Sequence, residues 1–176
     1  RDGQELRQGE PIITFVNRTI EPYRGCHSFI RAIPHIQELQ PNARIVIVGA
    51  EQGVSYGSVC PQGEWKDRFM AEIEGSHDPS RLHFAGSLGY ADFVTLLKLS
   101  QAHVYLTYPF VLSWSLLEAM ACGTPTIVTD VSSLPEVVGD AAILVNPLDT
   151  EEIAVAMHRL LTDDDLHAEL REKGLQ

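Results

Sequence analysis

The sequence predicts an α/β domain of the doubly wound kind, a mainly parallel six-stranded sheet with helices on both faces in the Rossmann-like manner. Three observations predict it. Short apolar runs such as 44–49 (RIVIVG) and 142–145 (AILV) are continuous rather than alternating, as in strands covered on both faces. Between these runs lie amphipathic stretches with helical period, so strand and helix alternate along the chain. The 176 residues suffice for one domain that buries roughly 70% of its unfolded surface.

The elements follow in order. Residues 1–10 are polar and aperiodic and read as a linker, leaving 11–174 as the folded domain. Residues 11–16 (PIITFV) form a first strand, and 17–25 (NRTIEPYRG) the turn after it. A helix from Cys26 to about Gln40 carries the stripe Phe29, Ile30, Ile33, Ile36 and Leu39. Pro34 is expected to kink it, because the ring removes a backbone donor and crowds the preceding turn. After the strand 44–49 comes a glycine-rich loop, 50–63, without charge beyond Glu51. It is read equally as a surface loop beside a site or as an insertion.

A helix from Trp65 to about Glu74 places Trp65, Phe69, Met70 and Ile73 on one side, and a third strand, 81–86 (RLHFAG), ends in Gly-Ser-Leu-Gly. Tyr90 to Ser100 is helical with Phe93, Leu96 and Leu97 inward. The strand 102–107 (AHVYLT) runs into a turn at Tyr108-Pro109, and a short amphipathic helix opens near Ser113 and carries Glu118. A strand in 124–130 (TPTIVTD), a short helix around 134–138 and the strand 142–145 follow. Thr150 is expected to cap the last long helix, with Glu151 and Glu152 at the positive end of its dipole and Ile153, Met157, Leu160 and Leu161 inward. Residues 163–173 supply one more helix.

Composition excludes several classes. A net charge of −11 argues against broad binding of nucleic acid or an anionic membrane, which need clustered cations. Cys26, Cys60 and Cys122 show no C-x-x-C spacing, so neither a disulfide framework nor a zinc site is indicated, and a cytoplasmic protein is expected. The seven histidines lack metal-site spacing. No run approaches the ~18 apolar residues of a membrane span. The abrupt polar start, RDGQELRQGEP, reads as that of an excised domain. The first strand is not followed by G-x-G-x-x-G, which disfavours a dinucleotide oxidoreductase, and L-S-W-S-L is not a nucleophile elbow.

The remaining chemistry points to an anion. In a doubly wound sheet ligands sit beyond the carboxyl ends of strands, where the order of strands reverses. Loops at Arg18, Ser87 and Ser113 all follow strands and share that edge. Arg18 and Arg24, six residues apart, carry planar forks suited to phosphate; the alternative is pairing with Glu21 or the acidic tail. A helix opening at Ser113 offers unpaired amides and a positive dipole end, with Ser113 and Ser115 as caps or phosphate donors. Glu118 is either solvated or set among apolar neighbours, where a ribose diol would supply it two donors. Trp114 is core, ligand platform or interface, with core the default.

Those residues in that order carry a resemblance. ITFVNRTIEPYRG, RIVIVG, LHFAGSLGYADFVTLL and SLLEAMACGTPTIVTDVSSLPEVVGDAAILVNPLD are similar, over nearly the whole chain, to the carboxyl-terminal donor-binding domain of bacterial family-four retaining glycosyltransferases, enzymes of two-domain GT-B architecture. The resemblance implies catalytic roles for Arg18 and Arg24 on the donor diphosphate and for Glu118 on the ribose. It places Gly86, Ser87 and Leu88 beside the nucleobase, and Leu112, Ser113 and Trp114 along the phosphate. It implies a nucleoside-diphosphate sugar as donor substrate, no cofactor and no metal, an amino-terminal GT-B domain as partner, and admits a membrane-associated parent. Two positions depart from the family pattern: Phe110 stands where the first glutamate of E-x7-E is usual, and Ser113 where glycine is common. The first departure motivates a second class, a noncatalytic nucleotide-binding or assembly module of the same fold. The isolated chain is expected to transfer no sugar.

Overall fold

In the computed structural model, which describes residues 5–107 and 112–176, six strands form one sheet. They are β1 (Ile12–Thr19), β2 (Arg44–Ala50), β3 (Leu82–Gly86), β4 (Ala102–Tyr105), β5 (Thr126–Thr129) and β6 (Ala142–Val145), in the order β3-β2-β1-β4-β5-β6. Every pairing is parallel. The helices are α1 (Cys26–Leu39), α2 (Trp65–Glu72), α3 (Tyr90–Leu99), α4 (Trp114–Ala121), α5 (Leu134–Val138), α6 (Thr150–Thr162) and α7 (Asp164–Gly174).

Alternation along each strand divides the core between two faces. Ile13 and Phe15 of β1 with Ile45 and Ile47 of β2 pack on Phe29, Ile33 and Ile36 of α1 and on Ile153, Met157 and Leu160 of α6. Ile12, Val46 and Val48 on the other face meet Leu96 of α3, while Tyr105 and Val128 meet Leu116 of α4 and Leu134 and Val138 of α5. Residues 5–10 are tied to this body: Arg44 donates to the Glu5 carbonyl at 2.7 Å and to Glu10 at 3.0 Å.

Several details differ from expectation. α1 continues through Pro34. Leu39, its last residue, is exposed rather than inward, because the helical phase has drifted about 80° from Phe29 by that point. The cap of α6 is Asp149, one residue before Thr150; its carboxylate accepts from the Glu152 amide at 2.9 Å. β1 is longer than predicted and takes in Arg18, since beyond an irregularity after Val16 it pairs again with β2 at Thr19 and Ala50. The turn expected at Tyr108-Pro109 lies outside the described residues.

A small polar set interrupts the second face. Thr14 Oγ1 lies 2.9 Å from Ser100 Oγ and 3.0 Å from Nδ1 of His103, and all three residues are buried. Burial alone holds the His103 imidazole down, to a pKa of about 4. The unfolded chain therefore takes up this proton at higher pH than the native one, and the stability due to neutral His103 is complete above the ordinary histidine range and is lost as pH falls toward about 4. Between about pH 7.5 and about pH 5 this residue is expected to remove roughly 2 kcal/mol. Urea unfolding of the parent and His103→Gln at both pH values checks it: the variant's slope with pH should be shallower, and an equal slope would refute the assignment.

Candidate functional site

β1 lies at the centre of the sheet, with the chain winding outward from it through β2 and β3 on one side, and from β4 through β5 and β6 on the other. The carboxyl ends of β1 and β4 therefore bound the crevice of the switch point. The turn leaving β1 is pressed against the end of β4. Gly25 adopts φ +71°, and a Cβ placed there would sit 2.3 Å from the Leu106 carbonyl oxygen. Only glycine combines that left-handed geometry with so close an approach.

This turn delivers Arg24. A short 3₁₀ turn (Pro22–Arg24) ends on it, and its side chain is 7% exposed, so it is not the surface arginine that pairing with the acidic tail would require. Its Nη1 donates to the Tyr105 hydroxyl at 3.5 Å and to Thr107 Oγ1 at 3.4 Å, both at the end of β4. Its guanidinium carbon lies 4.9 Å from the centroid of the Tyr56 ring. Arg18 is exposed, one residue before the end of β1. With Arg18 and then Arg24 bonded to its hydroxyl, the Tyr56 phenol is drawn below the ordinary tyrosine range. The two arginines thus converge on one spot. Glu21 is not their partner: it is fully buried, and its Oε2 accepts from the amides of Tyr56 and Gly57.

α4 opens at the same edge, after β4. Ser113 has the extended backbone of an N-cap (φ −121°, ψ 160°), but its hydroxyl pairs with that of Ser115 at 2.8 Å. Among the described residues no side chain caps the first turn, so its amides and dipole end stay available to an anion. Leu116 and Ala119 form the buried stripe of α4. Trp114 lies two residues, about 200°, from Leu116 and is 79% exposed, which corrects its default assignment to the core. Leu112 packs on the Tyr105, Leu116 and Val128 cluster. Glu118 is half-buried, and its carboxylate has no hydrogen-bond or ion-pair partner among the described residues. Phe110 lies outside the described residues.

Gly86 ends β3 and Ser87 and Leu88 follow it, three strand spacings from β4, on the order of 14 Å along the same edge. Ser87 is exposed, while Leu88 packs beside Ile12 and Leu96. The structure therefore groups Arg18, Arg24 and the mouth of α4 at the switch point, with Gly86 to Leu88 set apart toward the outer strand. Tyr56, Tyr105 and Thr107 belong to the group and were not singled out from the sequence. The one signal for Tyr56 was its place in a long uncharged loop after a strand.

The sequence and the fold have counterparts in known proteins. The family model described as "Glycosyl transferases group 1" matches residues 1–176. The serotype-specific mannosyltransferase WbdA of Escherichia coli is 33% identical over 117 residues, covering 66% of this chain and 14% of its own. Sucrose-phosphate synthase from Thermosynechococcus elongatus is similar with a TM-score of 0.80 and 24% identity, over 97% of this chain and 41% of its own. The C-terminal domain of a glycosyl transferase group 1 family protein from Francisella tularensis is similar with a TM-score of 0.78 and 19% identity, over 96% of this chain and 84% of its own. The chain spans 11% to 38% of the length of the curated relatives it matches. Among the described residues no helix is long and apolar enough to cross a membrane.

Proposed function

Because the chain belongs to the glycosyl transferases group 1 family, we propose that it is the part of a glycosyltransferase that binds a nucleoside-diphosphate sugar, with the pyrophosphate at the β1/β4 switch point. The observation that carries this reading is Arg24, a nearly buried cation held at the end of β4 beside Arg18 and the uncapped start of α4. As the sugar departs, negative charge gathers on the leaving diphosphate. Guanidinium forks and a helix dipole fixed in advance stabilise it without reorganising, and they supply the charge that a divalent cation would otherwise bring.

Glu118 accepts the ribose hydroxyls in this reading, and Gly86, Ser87 and Leu88 border the base. Ser113 and Trp114 lend amides to phosphate, and Leu112 supports them from below. Transfer keeps the anomeric configuration, needs no metal or cofactor, and takes place in the cytoplasm. The acceptor and the opposite wall of the cleft come from a GT-B domain outside these residues, so the chain alone binds nucleotide and transfers nothing.

Calorimetric titration with UDP, GDP, ADP and inorganic pyrophosphate tests this. Arg18→Ala should weaken every one of them, by about fivefold to tenfold for an exposed charge-assisted contact. Glu118→Ala should weaken the nucleotides by about tenfold and leave pyrophosphate unchanged. Wild-type affinities in both variants would remove the proposed site.

A further inference from the structure

A cavity of about 540 Å³ follows the outer side of β3. Arg44 and Leu82 line it where β2 and β3 begin, and Glu51, Lys66, Phe84 and Gly86 line it toward the carboxyl ends of those strands. Val48 is the register partner of Gly86, so Glu51, directly after β2, rises beyond the end of β3. Lys66 stands in the first turn of α2. Its Nζ lies 4.2 Å from the centroid of the Phe84 ring and is ion-paired with Glu51 Oε2. The Gly53 amide donates to Glu64 at 2.8 Å, which closes the loop back on the start of α2 and keeps Glu51 beside Lys66. The two side chains are only 24% (Lys66) and 38% (Glu51) exposed, so hydrogen bonds made here compete less with water than those of a surface pair.

The pair is not saturated. Among the described residues Glu51 Oε1 has no partner, and Oε2 has Lys66 alone. A carboxylate keeps lone pairs on both oxygens, and an ammonium carries three donors. Oε1, Oε2 and Nζ therefore form a row of acceptor, acceptor and donor. A base outside a duplex is read on its Watson–Crick edge, and the four bases meet this row differently. Guanine offers two donors and then an acceptor, in N2–H, N1–H and O6. Uracil offers acceptor, donor, acceptor, and cytosine donor, acceptor, acceptor. Adenine has one donor beside one acceptor. Guanine alone satisfies all three groups, and a site built from polar groups rejects a ligand that leaves them unpaired.

We propose that Glu51 and Lys66 select guanine, the Glu51 oxygens accepting from N1–H and N2–H and Lys66 donating to O6, so that the donor substrate is a guanosine-diphosphate sugar. This rests on the pyrophosphate reading of the switch point, which puts the base beside Gly86 and leaves its identity open.

The chain is titrated calorimetrically with GDP, IDP, UDP, CDP, ADP and inorganic pyrophosphate. GDP is expected to bind about tenfold or more tightly than UDP, CDP and ADP. IDP differs from GDP only in lacking the N2 amino group, and should bind about fivefold to tenfold more weakly than GDP, the loss of one hydrogen bond to a charged group. Glu51→Gln keeps the shape but turns an amide donor toward the donors of guanine, and should bring GDP down to the level of UDP. Lys66→Met keeps the stem on Phe84 and removes the ammonium, and should weaken GDP about tenfold. Pyrophosphate, which has no base, should bind both variants within about twofold of the parent, showing that they are folded. A chain that binds pyrophosphate but takes GDP no better than UDP, or a preference for GDP that survives Glu51→Gln, would overturn the guanine assignment alone. Pyrophosphate affinity unchanged by Arg18→Ala would overturn the reading beneath it.

Discussion

Arg24→Ala in the whole protein is expected to lower kcat/KM for sugar transfer by about 10² to 10³. The size of the effect follows from burial. An exposed arginine meets its anion through water and salt, whereas Arg24, at 7% exposure, is braced by Tyr105, Thr107 and the Tyr56 ring before any ligand arrives. On the proposed reading its charge acts where little solvent screens it, on a group whose charge grows as the glycosidic bond breaks, so most of the loss belongs in kcat rather than KM. Arg24→Lys retains the charge and loses the fork, and should recover only part of the rate. Steady-state kinetics of both variants, with thermal melts to confirm folding, decide it. A kcat/KM within about threefold of the parent would show that this cation does not face the leaving group.

Much of this architecture was legible in the chain because strands buried on both faces leave continuous apolar runs. Residues 44–49 admit hardly another reading. Arg18 and Arg24 were expected beside the end of the first strand, and they lie there, Arg18 in the last residues of β1 and Arg24 in the 3₁₀ turn after it. Tyr56 was not, because its meaning depends on β1 and β2 being neighbours, so that a loop leaving β2 falls across the turn leaving β1. Nothing within 50–63 states that. Glu21 misled for the same reason, since among arginines it reads as a surface partner and only the fold reveals the amides above it. Trp114 misled through phase: it abuts an apolar helix in sequence but stands on the side opposite Leu116. Asp149 and Thr150 are both good caps by type, and the position of the first turn chose between them.

The placement of Arg24 depends in turn on its neighbour, and Gly25→Ala is expected to destabilise the domain by about 3 to 5 kcal/mol, lowering Tm by roughly 10 °C. Two costs add. The left-handed backbone at φ +71° disfavours a side chain by about 1 to 2 kcal/mol. The new Cβ would also lie 2.3 Å from the Leu106 carbonyl oxygen and 2.5 Å from the Leu106 Cβ. Those atoms belong to, or are rigidly joined to, a backbone at the centre of the sheet, so no rotamer change relieves the overlap and the turn itself must move. Gly9 provides the control, because it has φ +87° and nothing within 4 Å of its virtual Cβ. Gly9→Ala carries the conformational cost alone, about 1 kcal/mol. Urea unfolding of both variants separates strain from collision. If the turn shifts to accept the methyl group, Arg24 withdraws from Thr107, and affinity for nucleoside diphosphate should fall along with stability. Gly25→Ala as stable as Gly9→Ala, with nucleotide binding intact, would mean that the β1 turn does not rest on β4 and that the guanidinium is held by something else.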